Sequence, residues 1–420
     1  MRLAAVAAFS FKSILPSRFG ARAGARVGVC SGALSVNRLS LLAPLHSPLL
    51  RRADAGLPVQ APGAGQIAQA RTAPLRFGFL ALGEAHQLFH IMGPAIELAR
   101  MGHAVTFLVA SVWHERILAR HGRGGRFEVR RLRTLPQSAK PKISSVPFRL
   151  FSVLLNADTF RDFDVIVTPE RSSTLLKRLG LFSGMLAHIP HGAGDRAAGY
   201  DKRIKYFDCV IVAGDKDRER MLARRLASPD MCVAAGYAKF DVLKSPAPFF
   251  DNDKPIVLYN PHFDRKLSSW PAMGEALVER FAADDSFNYI IAPHIRMRGA
   301  MRRSFERVAA QNTFAHIRFD GGSVHSINMD YTRAASIYLG DVSSQLYEFI
   351  RTPRPCVFLN SAGVDWRGSE YFMHWRLGDV AENADEAMAC LKSARGAHAC
   401  YRQPQEELFN KSISQDDRPA

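Results

Sequence analysis

From Leu75 onwards the chain alternates short apolar runs with longer stretches in which apolar residues recur every three or four positions. That alternation predicts buried parallel strands crossed over by amphipathic helices. Runs at 76–82, 104–110, 164–168, 185–189 and 209–213 predict the strands of a first half, with helices over 94–100 and 216–226. Pro94 is expected in the first turn of its helix and Gly102 as its stop. The pattern restarts at Pro255, with strands over 255–259, 287–292, 335–340 and 356–360, and helices over 271–283, 297–310 and 384–393. Between the halves, residues 244–254 hold Pro246 and Pro248 among phenylalanines and charges, which predicts a linker. The expected layout is a disordered basic tail over 1–72 and a Rossmann-like domain over 73–243. A linker over 244–254, a second Rossmann-like domain over 255–390 and a polar tail over 391–420 follow. The fold class is α/β, two Rossmann-like domains facing each other across a cleft.

The first seventy residues break this pattern. Residues 1–74 carry nine basic side chains and one acid, Asp54, and are rich in Ala, Arg, Gly and Ser. The composition predicts a disordered basic tail or residues added by an upstream start; an organelle-targeting leader would look similar. The apolar stretch 39–50 is short and interrupted by Pro44 and Pro48, and no run reaches the ~18 residues that cross a bilayer. The net charge of +17 is therefore shared almost evenly between this short segment and the long remainder. A moderately basic body fits anionic substrates or an anionic membrane surface, and fits nucleic acid less well. Six cysteines without C-x-x-C spacing point to free thiols in a reducing cytoplasm. No carboxylate cluster argues for a metal, and no bound cofactor is expected.

Candidate chemistry falls at the ends of the predicted strands. The segment 335–350 reads as a strand, a Gly340-Asp341 turn, then Ser343 and Ser344 at the start of a helix carrying Leu346, Phe349 and Ile350. Hydroxyls and unpaired N–H groups at a helix start make a phosphate seat. Pro190-His191-Gly192 follows the strand at 185–189 and places an imidazole, in the pKa range of a general base, over the cleft. Pro293-His294-Ile295-Arg296 repeats the arrangement in the second half, where a His/Arg pair could hold a diphosphate. Lys239, in Gly236-Tyr237-Ala238-Lys239-Phe240-Asp241, precedes the linker. His262 and Arg265 follow the strand at 255–259, and Arg367 follows the strand at 356–360. With Lys239 and Asp341 they are further candidates for binding the donor and its phosphates.

This ordered set resembles the CDP-glycerol:poly(glycerophosphate) glycerophosphotransferase family, of the GT-B architecture and teichoic-acid type, over about residues 185–385. It comprises His191-Gly192, Gly236-Tyr237-x-Lys239-Phe240-Asp241, Tyr259-x-Pro261, Pro293-His294, Asp341-x-Ser343-Ser344 and Arg367-Gly368. The resemblance implies His191 as catalytic base, His294 on the donor pyrophosphate, and Ser343 with Ser344 on donor phosphate. His262-Phe263-Asp264 and Ala292-Pro293-His294-Ile295 depart from the family pattern, and Arg265, Lys266 or Arg296 are expected to replace its cations. The expected function is transfer of glycerophosphate, or a related phospho-alditol, from a CDP-linked donor to a hydroxyl of a cell-surface polymer or lipid-linked acceptor. The alternatives are a GT-B nucleotide-sugar glycosyltransferase or epimerase in polysaccharide synthesis, and an inactive GT-B binding subunit of an envelope complex. The expected location is cytoplasmic, peripheral on the inner face of a bacterial plasma membrane.

Overall fold

The computed structural model describes residues 73–122, 125–135, 148–194, 199–242 and 246–414. The expected tail over 1–72 lies outside them. Two wholly parallel sheets carry the fold, and both belong to one compact unit. The first has seven strands in the order β3-β2-β1-β4-β5-β6-β7: β1 (Arg76–Ala81), β2 (Ala104–Val109), β3 (Glu128–Arg131), β4 (Val165–Thr168), β5 (Met185–His188), β6 (Cys209–Val212) and β7 (Cys232–Ala234). The second has six in the order β10-β9-β8-β11-β12-β13: β8 (Ile256–Asn260), β9 (Asn288–Ile291), β10 (Ile317–Phe319), β11 (Ile337–Gly340), β12 (Cys356–Leu359) and β13 (Asp379–Ala381).

The central strands are buried on both faces, which is why they read as unbroken apolar runs. Leu80, Ile166, Leu186 and Val210 form the core of the first half with Val153, Phe160 and Leu176. Val257, Tyr289, Ile291 and Leu339 form that of the second half with Leu277, Phe281 and Phe305. Each such side chain, fully buried, stabilises the fold by about 1.5–3 kcal/mol. The outer strands β3, β7, β10 and β13 escape a pattern search. They have three or four residues, and β3 is exposed along its whole length.

Three expectations are corrected. The helix expected from Pro94 begins at Phe89 and runs to Arg100, so Pro94 lies inside it. Buried Phe89, Ile91, Met92 and Ala95 extend its apolar face ahead of the proline. The described part of the linker, from Pro246, is not a free tether. Phe249 and Phe250 pack on the core of the second half, and Asn252 accepts from Asn288 Nδ2 at 2.7 Å. The polar tail expected over 391–420 is instead mostly helix, Ala384–Ser412. Its buried stripe runs on through Leu391, Ala394, Gln405, Phe409 and Ser412, and the two polar members hide it from a hydropathy reading. Gln405 Nε2 donates to the carbonyls of Arg354 and Leu377, both at 2.9 Å. The chain then returns to the first half. Ser414 N donates to Ala213 O at 2.8 Å, and a Cβ on Gly214 would lie 2.4 Å from the Ser412 carbonyl carbon. Glycine is required at that crossing.

Candidate active site

Each sheet reverses strand order at its centre, β1 beside β4 and β8 beside β11. Ligands of open parallel sheets bind at the carboxyl ends of strands around that reversal. Here the loops after β1, β4, β5 and β7 meet those after β8, β9, β10 and β11 around one cavity of about 230 Å³. His191, Lys239, His262, His294, Arg296, Ser343 and Ser344 all line it.

The histidines differ in which ring nitrogen carries the proton. His191 Nδ1 lies 3.1 Å from the Pro169 carbonyl, an acceptor only, so Nδ1 holds the proton and Nε2 offers a lone pair. His294 Nδ1 accepts from Arg296 N at 3.1 Å, and His262 Nδ1 accepts from Asp264 N at 3.0 Å. Their Nε2 atoms therefore carry the protons and donate. Burial lowers the pKa of His191, opposed by the Pro169 carbonyl. Burial and the neighbouring His86 and His262 hold that of His294 well below the usual imidazole range. Both rings are neutral at pH 7. A base on one wall thus faces neutral donors on the other.

The cations proposed for the donor are already partnered, and this changes their reading. Arg296 meets Glu84, from the loop after β1, through Nε at 2.6 Å and Nη2 at 2.7 Å. Lys239 meets buried Glu348 at 2.6 Å, and Tyr237 donates its hydroxyl to the same oxygen at 3.1 Å. Each pair joins the two halves, one acid and one base coming from each. Arg265 is exposed and off the cavity. Arg367 is exposed, off the cavity, and stacked on Trp366 at 4.9 Å. Asp341 does not reach the cavity either: it is wholly buried, and its Oδ2 accepts from the amides of His262 (2.8 Å) and Ser269 (3.0 Å). Burial pushes its carboxyl up to about 7. It positions the His262 loop rather than binding phosphate.

Ser343 and Ser344 do stand at the start of a helix, Gln345–Phe349, but that helix has only five residues. Its macrodipole is correspondingly small, so the seat consists of local hydroxyls and N–H groups. Ser343 Oγ accepts from Gln345 N at 3.2 Å. Gly192 and Gly194 bring the His191 loop against Ser344: a Cβ on Gly194 would lie 3.1 Å from Ser344 Cβ. The close approach that these glycines permit is to the opposite half of the protein.

Several lining residues went unread in the sequence. His86 and His90 come from the loop and helix after β1, their rings 6.1 and 6.4 Å from that of His191. Arg171 follows β4, and Ser326 follows β10 with its hydroxyl buried and unpartnered. Gly83-Glu84-Ala85-His86, immediately after a strand, carried the same signal that singled out His191. Among the described residues no group of three or more His, Cys, Asp or Glu side chains is disposed to hold a metal ion. None of their helices is long and apolar enough to cross a membrane.

No family model matches the chain, and no curated protein matches it in sequence. Solved structures do match. A Listeria monocytogenes structure assigned as a UDP-N-acetylglucosamine 2-epimerase is 11% identical, with a TM-score of 0.55, over 82% of this chain and 93% of that one. Staphylococcus aureus MnaA, solved with UDP, is 11% identical with a TM-score of 0.55, over 79% and 91%. The fold is GT-B. The calicheamicin glycosyltransferase CalG4 is similar to the chain at 14% identity and a TM-score of 0.47, over 80% and 94%. At these identities the GT-B likeness establishes architecture, and chemistry rests on the side chains around the cavity.

Proposed function

We propose that this GT-B protein is a transferase that moves a group from a nucleotide-diphosphate donor to an acceptor hydroxyl, with a nucleotide sugar as the donor. The observation that carries the reading is the opposition of protonation states across the cavity, an acceptor nitrogen on His191 against donor N–H groups on His262 and His294. His191 Nε2 takes the hydroxyl proton as the acceptor oxygen attacks the sugar carbon. The bond from that carbon to the diphosphate breaks, and the nucleoside diphosphate leaves with the electron pair. His262, His294, Ser343 and Ser344 meet the growing charge in a site that is partly closed to water. Arg171 adds a cation. Arg296 has two donors committed to Glu84 and three remaining, because a guanidinium carries five. The solved UDP complex of MnaA, a protein of the same fold, supports the nucleotide-diphosphate class of ligand.

A second reading is supported by the ordered motifs from His191-Gly192 to Arg367-Gly368. In it, a CDP-linked phospho-alditol is the donor, and attack falls on phosphorus so that CMP leaves. The two differ in the product released. Incubation with UDP-sugars, CDP-glycerol and CDP-ribitol, followed by chromatography of free nucleotides, separates them. A nucleoside diphosphate supports sugar transfer and a monophosphate supports phospho-alditol transfer. If no donor is consumed and none raises the melting temperature, the transferase reading is lost.

A further inference from the structure

The outer edge of the first half presents an unusual surface. Within eight residues, Phe148 (65%), Leu150 (45%), Phe151 (49%), Leu154 (47%) and Leu155 (45%) are all exposed, on and around the short helix Arg149–Leu154. Single exposed apolar residues are ordinary, but a contiguous group of this size marks an interaction site. The helix is fixed in place. Asn156 donates to the Arg133 carbonyl at 2.9 Å and accepts from Arg133 N at 3.0 Å, tying it to the end of the exposed edge strand β3, near half-exposed Leu135.

Charge identifies what would cover this surface. The described residues of 112–161 hold eight arginines against three acids, Glu115, Glu128 and Asp158. Arg133, held through its backbone by Asn156, is exposed beside the apolar group, and Arg130 and Arg131 are exposed on the strand before it. Glu115 and Asp162 pair with Arg131 and Arg130, and leave the excess in place.

We infer that this edge docks on an anionic lipid bilayer, with Phe148, Phe151 and Leu154 entering the headgroup boundary and the arginines meeting lipid phosphates. Aromatic and aliphatic side chains bracketed by arginine are the composition that such a boundary accepts. The surface lies close to the cleft: Arg149 Nε is 3.0 Å from Glu170, whose neighbour Pro169 holds His191 through its carbonyl. On the proposed transferase reading, on which only this point rests, a lipid-linked hydroxyl would arrive from the side of the base.

The test uses the full chain and vesicles of phosphatidylcholine with or without one quarter phosphatidylglycerol. The parent should sediment with the anionic vesicles. Phe148→Ser/Phe151→Ser/Leu154→Ser should bind them about tenfold more weakly, because the apolar contribution is removed while the charges remain. Its melting temperature should be unchanged, since these side chains are exposed. Arg133→Glu should lower binding by a smaller factor that vanishes at high salt. Should the triple variant fold poorly, Phe151→Trp reports instead: its emission, less that of the parent's four tryptophans, should shift to the blue on anionic vesicles. Unchanged sedimentation of a folded triple variant, or an unmoved emission, overturns the inference. So does light scattering that shows a dimeric parent and a monomeric triple variant with equal vesicle binding, which would make the face a contact between copies. These measurements read membrane binding and not turnover, so they fail separately from the transferase reading.

Discussion

His191 and His294 each follow a proline at the end of a parallel strand, and the two walls of the cleft use them in opposite ways. In the first half a backbone carbonyl faces Nδ1 and leaves a lone pair at Nε2. In the second half a backbone N–H faces Nδ1 and leaves a proton at Nε2. The same pair of residue types therefore yields a base in one place and a hydrogen-bond donor in the other. One backbone group decides between them, and nothing in the tripeptide names it. His262, after Pro261, follows the second pattern with Asp264 N in the deciding position. Chemical role here belongs to the loop, and the side chain only makes it available.

The largest effect should come from removing the lone pair. His191→Gln keeps a polar side chain but cannot act as a base, and turnover should fall about 10²–10⁴-fold with donor affinity unchanged. Nucleotide release under saturating donor, with calorimetric titration of the donor, checks both halves of that statement. Loss of affinity with turnover preserved would exchange the roles of the two walls.

Acid tests what the walls share. Burial lowers the pKa of His86, His90, His191 and His294, of His114 to about 4 and of His188 to about 3. The unfolded chain binds protons at these sites below about pH 6.5 and the folded chain does not, so stability falls as pH drops through that value. Each histidine contributes up to about 1.4 kcal/mol per pH unit there. Asp341 and Glu170, whose carboxyls burial pushes up, act in the opposite sense, losing stability as pH rises. Burial also lowers the pKa of His121 and raises that of Asp241, so seven groups against three make the net slope positive. Melting temperatures should drop between pH 7 and pH 5.5, and a flat or rising profile would mean that the rings are charged in the fold.

A smaller effect should separate the donors. His294→Ala should raise the donor's Kd about tenfold, the worth of one hydrogen bond to a charged group. His294→Gln, which presents an N–H at similar reach, should recover part of it. If neither changes Kd, His294 is not on the donor. Smallest is Ser343→Ala with Ser344→Ala, expected to weaken nucleotide binding severalfold and to cost about 1 kcal/mol of stability through the lost bond from Gln345 N to Ser343 Oγ. Binding as tight as the parent's would remove the phosphate seat.

Much of the architecture was legible because doubly buried strands leave long apolar runs, as at 256–260 and 337–340. The edge strands were not, since β10 and β13 bury too little to leave a pattern. The cavity was partly legible. His191, His294, Ser343 and Ser344 follow runs that announce themselves, and His86 follows one without a proline to mark it. Pairing was invisible: Glu84 is 212 residues from Arg296 and Glu348 is 109 from Lys239, and no local pattern links either. Arg296 and Lys239 therefore read as free cations when each is already held by the opposite half.

The helix that ends at Ser412 returns the chain to Ala213, in the first half. Synthesis is vectorial, and the residues of β1 to β7 leave the ribosome long before their last cover does. The end of β6 and Gly214 must wait, unshielded, for nearly two hundred further residues. The first half thus cannot reach its finished state until the helix Ala384–Ser412 has been made. A fusion placed just after Ser414 would sit beside the last of these contacts to form.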